Sequence, residues 1–498
     1  MFDFEPKRKP RYPGVRWRLV YGSYEGVERF AVDEWQRILQ TYEPYVIPVS
    51  PPDVDLQNHE DNILLCGTVE NNRHIRRLVE LGLLTIPDQP EGYAAGCVDS
   101  PWKPGRKVLA VGGHDPNGVL YGVVDLNTRK LGMERIQDDP TVTRKLLDEM
   151  PPFSLSEYPR VAGRGLWTWG YVIYDYRRYL DNMARLRMNT LTVWNDCPPV
   201  NMAEVIEAAH RRGIRVVMGF HWGWGTVGLD LADPAHVDAL RDHVLETYRR
   251  DYADLPHDGI YFQTLTEHNE THRDGVPLAR LVCRMVNRIG SALLERYPGL
   301  DIQCGLHATS ILEHYSEFEA LDPRITITWE DAGVIPYSYH VVEHYDDAPY
   351  HAKRHGTVEA TIAYSRKLAA LRPGSRFAFV PKGFSDLRWR TEYEHHGPFI
   401  LGERSARFIR NRLDQRQAMW DAKSALWLRN APHVVRFFRE IFDVGPSAIL
   451  ATALCEDGLF EQAIQPAIAL FSHLIWNPTS DLGELPPMAF SSYYRETT

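Results

Sequence analysis

The stretch Gly259-Ile260-Tyr261-Phe262-Gln263-Thr264-Leu265-Thr266-Glu267-His268-Asn269-Glu270 decides how the rest of the chain is read. An apolar, β-prone run stops abruptly at a cluster of carboxylate and imidazole side chains. Packing alone gives a buried strand little reason to finish this way. A parallel barrel does, because its strands deliver catalytic groups to one open face. The same ending recurs at Trp194-Asn195-Asp196, Phe220-His221-Trp222, Leu306-His307 and Trp329-Glu330-Asp331.

Outward from that stretch, strand and helix alternate. Residues 165–169 and 189–194 are predicted as the first two strands, with Tyr176, Leu180, Met183 and Leu186 at helical spacing between them. A helix over 203–212 is closed by Gly213, and 214–220 is the third strand. A helix of about 18 residues opens near Pro234. Strand four is 259–266, followed by a helix over 277–296. Strands five and six are 301–306 and 325–329, with a short helix near Leu312 between them. A helix over 357–371 leads to strand seven, 376–380. The run His473-Leu474-Ile475-Trp476-Asn477-Pro478 is expected as the eighth strand, after helices spanning 405–441. Short connections and steady alternation predict an α/β fold, a (β/α)8 TIM barrel over residues 156–485, rather than an open doubly wound sheet. No glycine-rich phosphate fingerprint follows the first strand.

Residues 1–155 read as a separate small α/β domain. Strands are predicted over 17–21, 63–66 and 108–112, and a helix over 72–81 with Ile75, Leu78 and Val79 on its apolar face. Turn chemistry at His114-Asp115-Pro116-Asn117-Gly118 opens a helix from Val119. The stretch 150–159 is expected as a linker, and 486–498 as a C-terminal tail.

The chain has 498 residues and a formal net charge of −10, which gives no sign of nucleic-acid binding. Its start carries basic residues with no apolar run behind them, so neither a secretory signal nor a membrane span is expected. The six cysteines show no CxxC pair and no framework spacing. Such thiols fit a reducing compartment, and a cytoplasmic location is expected. An oligomer is compatible with all of this. Aromatic residues say more: the chain holds 13 Trp and 25 Tyr, and Trp167, Trp169, Trp194, Trp222, Trp224, Trp329 and Trp389 fall near predicted strand ends. Indole faces suit the C–H faces of sugar rings, while neighbouring His, Asp and Asn bind hydroxyls.

The predicted rim gathers Asn195 and Asp196, His221, Glu267 and His268, His307, Glu330 and Asp331. A loop after strand seven, 382–402, adds Trp389, Glu392, Glu394 and His395. Hydrolysis of a glycoside needs one protonated carboxyl for the leaving oxygen and a second carboxylate to activate water or attack carbon. This rim offers both. Glu267, Glu330, Asp331, Glu392 and Glu394 are the catalytic candidates; Trp167, Trp169, Trp194, Trp222, Trp329 and Trp389, with Asn195, Asp196, His221, His268, His307 and His395, are the binding candidates.

These residues resemble the α-glucuronidase family of glycoside hydrolases, with kinship to the β-hexosaminidase architecture. Asp115-Pro116-Asn117-Gly118-Val119-Leu120-Tyr121-Gly122-Val123 is similar to the closing motif of the small α/β domain that precedes both barrels. Gln263-Thr264-Leu265-Thr266-Glu267 is similar to the family's Lys-Ala-Asn-Ser-Glu run, which implies that Glu267 is the general acid. The family's base carboxylates, after strands six and seven, correspond to Glu330-Asp331 and Thr391-Glu392-Tyr393-Glu394. Leu474-Ile475-Trp476-Asn477-Pro478 is similar to its late Leu-Ala-Trp-Asn-Pro run. Four departures stand out. Gln263 replaces the lysine that helps bind the uronate carboxylate, and the strand-five region offers no arginine for it. The chain beyond residue 485 is too short for the family's C-terminal helical domain, a usual dimerisation surface. The hexosaminidase Asp-Glu pair is absent, since Thr266 precedes Glu267.

The sequence therefore predicts an exo-acting glycoside hydrolase that works without a cofactor or metal, with room for a neutral sugar. A metal-dependent sugar isomerase or epimerase, using Glu267, His307, Glu330 and the 268–272 region as ligands, is the first alternative. A carbohydrate-binding barrel without catalysis is the second.

Overall fold

The computed structural model describes residues 14–43, 45–131, 147, 150–195, 197–263, 265–266, 270–330, 358–384, 397–444, 447–456, 458–480, 483 and 485–495. The chain divides into two compact units, Met1–Tyr158 and Pro159–Thr498.

The first unit is a six-stranded sheet built from β1 (Trp17–Tyr21), β2 (Val49–Ser50), β3 (Asn62–Thr68), β4 (Tyr93–Asp99), β5 (Lys107–Gly113) and β6 (Phe153–Glu157), in the order β2-β1-β3-β5-β4-β6. The β2-β1-β3-β5 side is parallel, and β4 runs antiparallel to both β5 and β6. Helices Gly26–Tyr42, Arg73–Glu80 and Pro116–Leu126 accompany the sheet. Asn72 caps the second by accepting from the backbone N–H of His74 and Ile75, and Asp115 caps the third through Gly118 N. The stretch expected as a linker holds β6 instead, and the boundary expected at 155 falls inside it. Only every second residue of β6 is exposed, the alternation of a strand at a sheet edge.

The second unit is a closed parallel barrel. Its strands are β7 (Gly163–Trp169), β8 (Thr190–Trp194), β9 (Arg215–Gly219), β10 (Gly259–Gln263), and then, after the small antiparallel ribbon β11 (His272–Arg273) and β12 (Val276–Pro277), β13 (Ile302–Leu306), β14 (Ile325–Trp329), β15 (Arg376–Phe379) and β16 (Ala448–Leu454). Pairing of β16 with β7 closes the ring. Helices Tyr176–Arg185, Met202–His210, Pro234–Asp251, Leu278–Arg296 and Val358–Ala370 lie where the alternation placed them, and the expected 405–441 segment forms Ala406–Arg429 and Ala431–Phe442.

The eighth strand is a correction. Residues 473–476 belong to the helix Pro466–Trp476, and Ala448–Leu454 supplies the strand. That helix is buried on all sides, so its apolar run has no amphipathic period to separate it from a buried strand. The described part of the expected tail, up to residue 495, is also structured. Helices Leu485–Ala489 and Ser492–Arg495 carry the buried Tyr493 and Tyr494, and the Tyr494 hydroxyl lies 3.1 Å from His473 Nε2. Among the described residues no helix is long and apolar enough to cross a membrane.

Candidate active site

Barrel strands turn alternate side chains inward, and the last inward residues meet at the C-terminal mouth. A cavity of about 470 Å³ lies there, lined by Trp167 and Trp169 of β7, Trp194 of β8, Gln263 of β10 and Leu454 of β16. Segments just past the strands add Tyr171, His221, Trp224, His307, Glu330, Val380, Lys382 and Glu456. Its wall is largely aromatic. Trp167 stacks on Trp194 with centroids 6.2 Å apart, and Trp169 meets Trp167 edge-on at 4.9 Å. Tyr261 of β10 stands edge-on to Trp167 and to Trp194, each at 5.7 Å.

Among the described residues, Glu330 is the buried carboxylate of this cavity. It follows Trp329, whose indole faces outward and donates to Ser365 Oγ at 3.0 Å, so the next side chain points to the barrel axis. Its backbone N–H continues the ladder to Leu306 O at 3.0 Å. The Tyr261 hydroxyl donates to Glu330 Oε1, and His307 Nε2 lies 3.2 Å from Oε2. Gly305 makes room for this arrangement, since a Cβ there would run into both the Glu330 carboxylate and the Tyr261 hydroxyl. Burial, the largest influence, pushes the Glu330 pKa up. The His307 imidazole, the Lys382 ammonium and the Tyr261 hydroxyl together outweigh it and hold the carboxyl below the usual range. Glu330 is therefore an ionised group, suited to the role of base or nucleophile rather than acid.

The structure brings Trp167, Trp169, Trp194, His221, His307 and Glu330 together, as the sequence places them. It sets three candidates apart. Trp222 is buried and stacks flat on Phe262 at 3.6 Å, Trp329 packs outward against Tyr364, and the fully buried Asn195 does not line the cavity. The reason is parity for Trp329: it occupies the outward position beside the inward Glu330. Asp196, Glu267, His268, Asp331, Trp389, Glu392, Glu394 and His395 lie outside the described residues. Thr266, immediately before Glu267, is buried, and its Oγ1 accepts from the backbone N–H of His307 at 3.0 Å.

Sequence reasoning missed Tyr261, Lys382 and Glu456. Tyr261 shares the inward parity of Gln263 and could have been found from that alone. Glu456 follows β16, so misplacing the eighth strand hid it. Among the described residues no group of three or more His, Cys, Asp or Glu side chains is placed to hold a metal ion.

No protein-family model and no curated protein matches the chain. Solved structures do. A GH138 enzyme targeting pectin rhamnogalacturonan II aligns over 94% of this chain with a TM-score of 0.51 and 13% identity. The chain spans only 52% of that enzyme's length. A mutant Streptomyces plicatus β-hexosaminidase in complex with GlcNAc aligns over 97% of this chain and 91% of its own, with a TM-score of 0.51 and 12% identity. The GH20 β-N-acetylhexosaminidase of Streptomyces coelicolor gives 96%, 92%, 0.51 and 13% in the same order. At such identity the likeness concerns the fold: a closed parallel barrel with an N-terminal α/β unit.

Proposed function

We propose that the protein is an exo-acting glycoside hydrolase that removes a terminal sugar by carboxylate acid/base catalysis. One observation carries this reading: an ionised, buried Glu330, fixed by Tyr261 and His307, faces a cavity walled by Trp167, Trp169 and Trp194. The aromatic faces receive the sugar ring, while His221, His307 and Glu456 reach its hydroxyls. Solved structures that share the fold include glycoside hydrolases, which supports the same chemistry.

In the reaction, Glu267 donates its proton to the departing oxygen as the bond to the anomeric carbon breaks. Glu330 takes a proton from the water whose oxygen bonds to that carbon. Solvent then returns both groups to their starting states. A carboxylate oxygen accepts more than one hydrogen bond, so Glu330 can receive the water while Tyr261 and His307 remain in place. The link from Thr266 to His307 supports Glu267 as the acid, because it ties the residue before Glu267 to the partner of Glu330. Asp331, Glu392 and Glu394 are reserve candidates for assisting the base. By resemblance the outcome is inversion, for which the two carboxyls stand roughly 6.5–9.5 Å apart, against about 5–5.5 Å for retention. Gln263 stands on the wall where the resembling family has a lysine, and the Lys382 ammonium of the same wall acts on Glu330, so a neutral sugar is the favoured substrate.

The test is a screen of aryl glycosides and natural oligosaccharides with the native chain and Glu267→Gln. Turnover by the native chain is expected to fall at least ~100-fold in the variant, the lower end of general-acid effects. Undiminished turnover removes Glu267 from the mechanism. Sugar binding with no turnover by the native chain replaces the hydrolase with a binding protein.

A further inference from the structure

The cavity has two tiers that differ in exposure. Trp167 and Trp194 keep only 6% and 5% of their surface open, whereas Trp224 keeps 38%. All three line the same space. The outer tier is held firmly. Past the end of β9, Phe220 stacks on Tyr252 at 4.5 Å, and Trp222 lies flat on Phe262 with an interplanar angle of 4°. Gly223 then takes a left-handed backbone (φ +81), and Thr226 N donates to Gly223 O at 3.1 Å to close a turn. Two anchored aromatics and a closed turn thus present Trp224 at the mouth. Tyr171 lines the cavity too, backed by the Phe399 ring at 4.5 Å and 35°. A half-exposed indole contributes little to a core, yet its flat face suits a second sugar ring. About 470 Å³ is also more space than one pyranose fills.

We propose that Trp224 and Tyr171 form an outer subsite for the leaving group. The substrates are then glycosides whose departing part is itself a ring: disaccharides and longer chains rather than simple alkyl glycosides. This rests on the hydrolase reading above and adds the identity of the leaving group to it.

The test compares the native chain with Trp224→Ala and Trp224→Phe on matched 4-nitrophenyl glycosides and glycosyl fluorides. The first class carries a ring as leaving group and the second a single atom. Losing one stacked ring is expected to lower kcat/KM on the aryl glycoside about tenfold in Trp224→Ala. The loss on the fluoride is expected to be at least about fivefold smaller, and Trp224→Phe is expected to recover most of the aryl activity. Equal losses on both substrates, or none on the aryl glycoside, overturn the subsite while leaving the hydrolase intact. No turnover of any glycoside by the native chain removes the hydrolase and the subsite together.

Discussion

Glu330 sits where two opposing influences meet. Burial raises its pKa, and His307, Lys382 and Tyr261 lower it by more, so the net shift is downward. The sign has two consequences. Activity that needs the carboxylate should persist below the ordinary glutamate pKa of about 4.3 and fail only as pH drops further. The shift also stabilises the fold above that pH, and this stabilisation is lost as pH falls through the lower folded-state value. Tyr261→Phe removes a hydrogen bond to a charged group, an interaction of about 1.5–3 kcal/mol, so the acid limb of kcat/KM should rise by about one pH unit or more. A limb that stays in place in a folded variant contradicts the pairing. Gly305→Ala should be worse, because its methyl group enters the space of both partners. A stability loss of about 1–3 kcal/mol is expected in chemical denaturation, together with collapse of turnover. Glu330 was legible in the sequence because it ends an apolar strand, and His307 for the same reason. Which of the adjacent Trp329 and Glu330 faces the axis was not legible, since a one-residue change in register exchanges them.

Strands rich in β-branched or aromatic residues and most helices with an apolar period were legible. The strand Ile325–Trp329 and the helix Pro234–Asp251 match the sequence reading at both ends. The eighth strand, Ala448–Leu454, is rich in alanine and weak in β-propensity, so the more hydrophobic run at 473–478 gives the stronger strand signal. The helix Gly26–Tyr42 lies outside the elements expected from the sequence, although Ala31, Trp35, Ile38 and Leu39 are buried at helical spacing. The helix Arg73–Glu80 was read correctly, and its cap does more than cap. Asn72 is fully buried, accepts from two backbone N–H groups and donates to Cys66 O at 3.0 Å. Asn72→Ala should therefore cost about 2 kcal/mol, the upper end for a lost N-cap, measured by urea denaturation. A cost near zero contradicts the inward hydrogen bond.

Over the whole molecule, the barrel depends on segments far apart in the chain. Its closing strand β16 pairs with β7, and its last helices return Tyr494 to His473, which in turn contacts Arg187 Nη2 at 2.8 Å through Nδ1. Arg187 also lies over the Trp476 ring at 4.4 Å. Tyr494→Ala empties a buried position and leaves His473 short of a partner, so a loss of about 3–5 kcal/mol and a lower Tm are expected by calorimetry. An unchanged Tm contradicts a structural role for residues 492–495. The same long-range closure explains what sequence could not deliver, because residues from β7 to β16 meet only once the ring is complete. Most of the cavity wall was legible as strand endings, while Lys382 and Glu456 became visible only in three dimensions. The most direct measurement is kcat of Glu330→Gln against the native chain on the best glycoside found by screening, with thermal unfolding followed in parallel. A fall of at least ~100-fold in a folded protein is expected. Native-like turnover in that variant contradicts it.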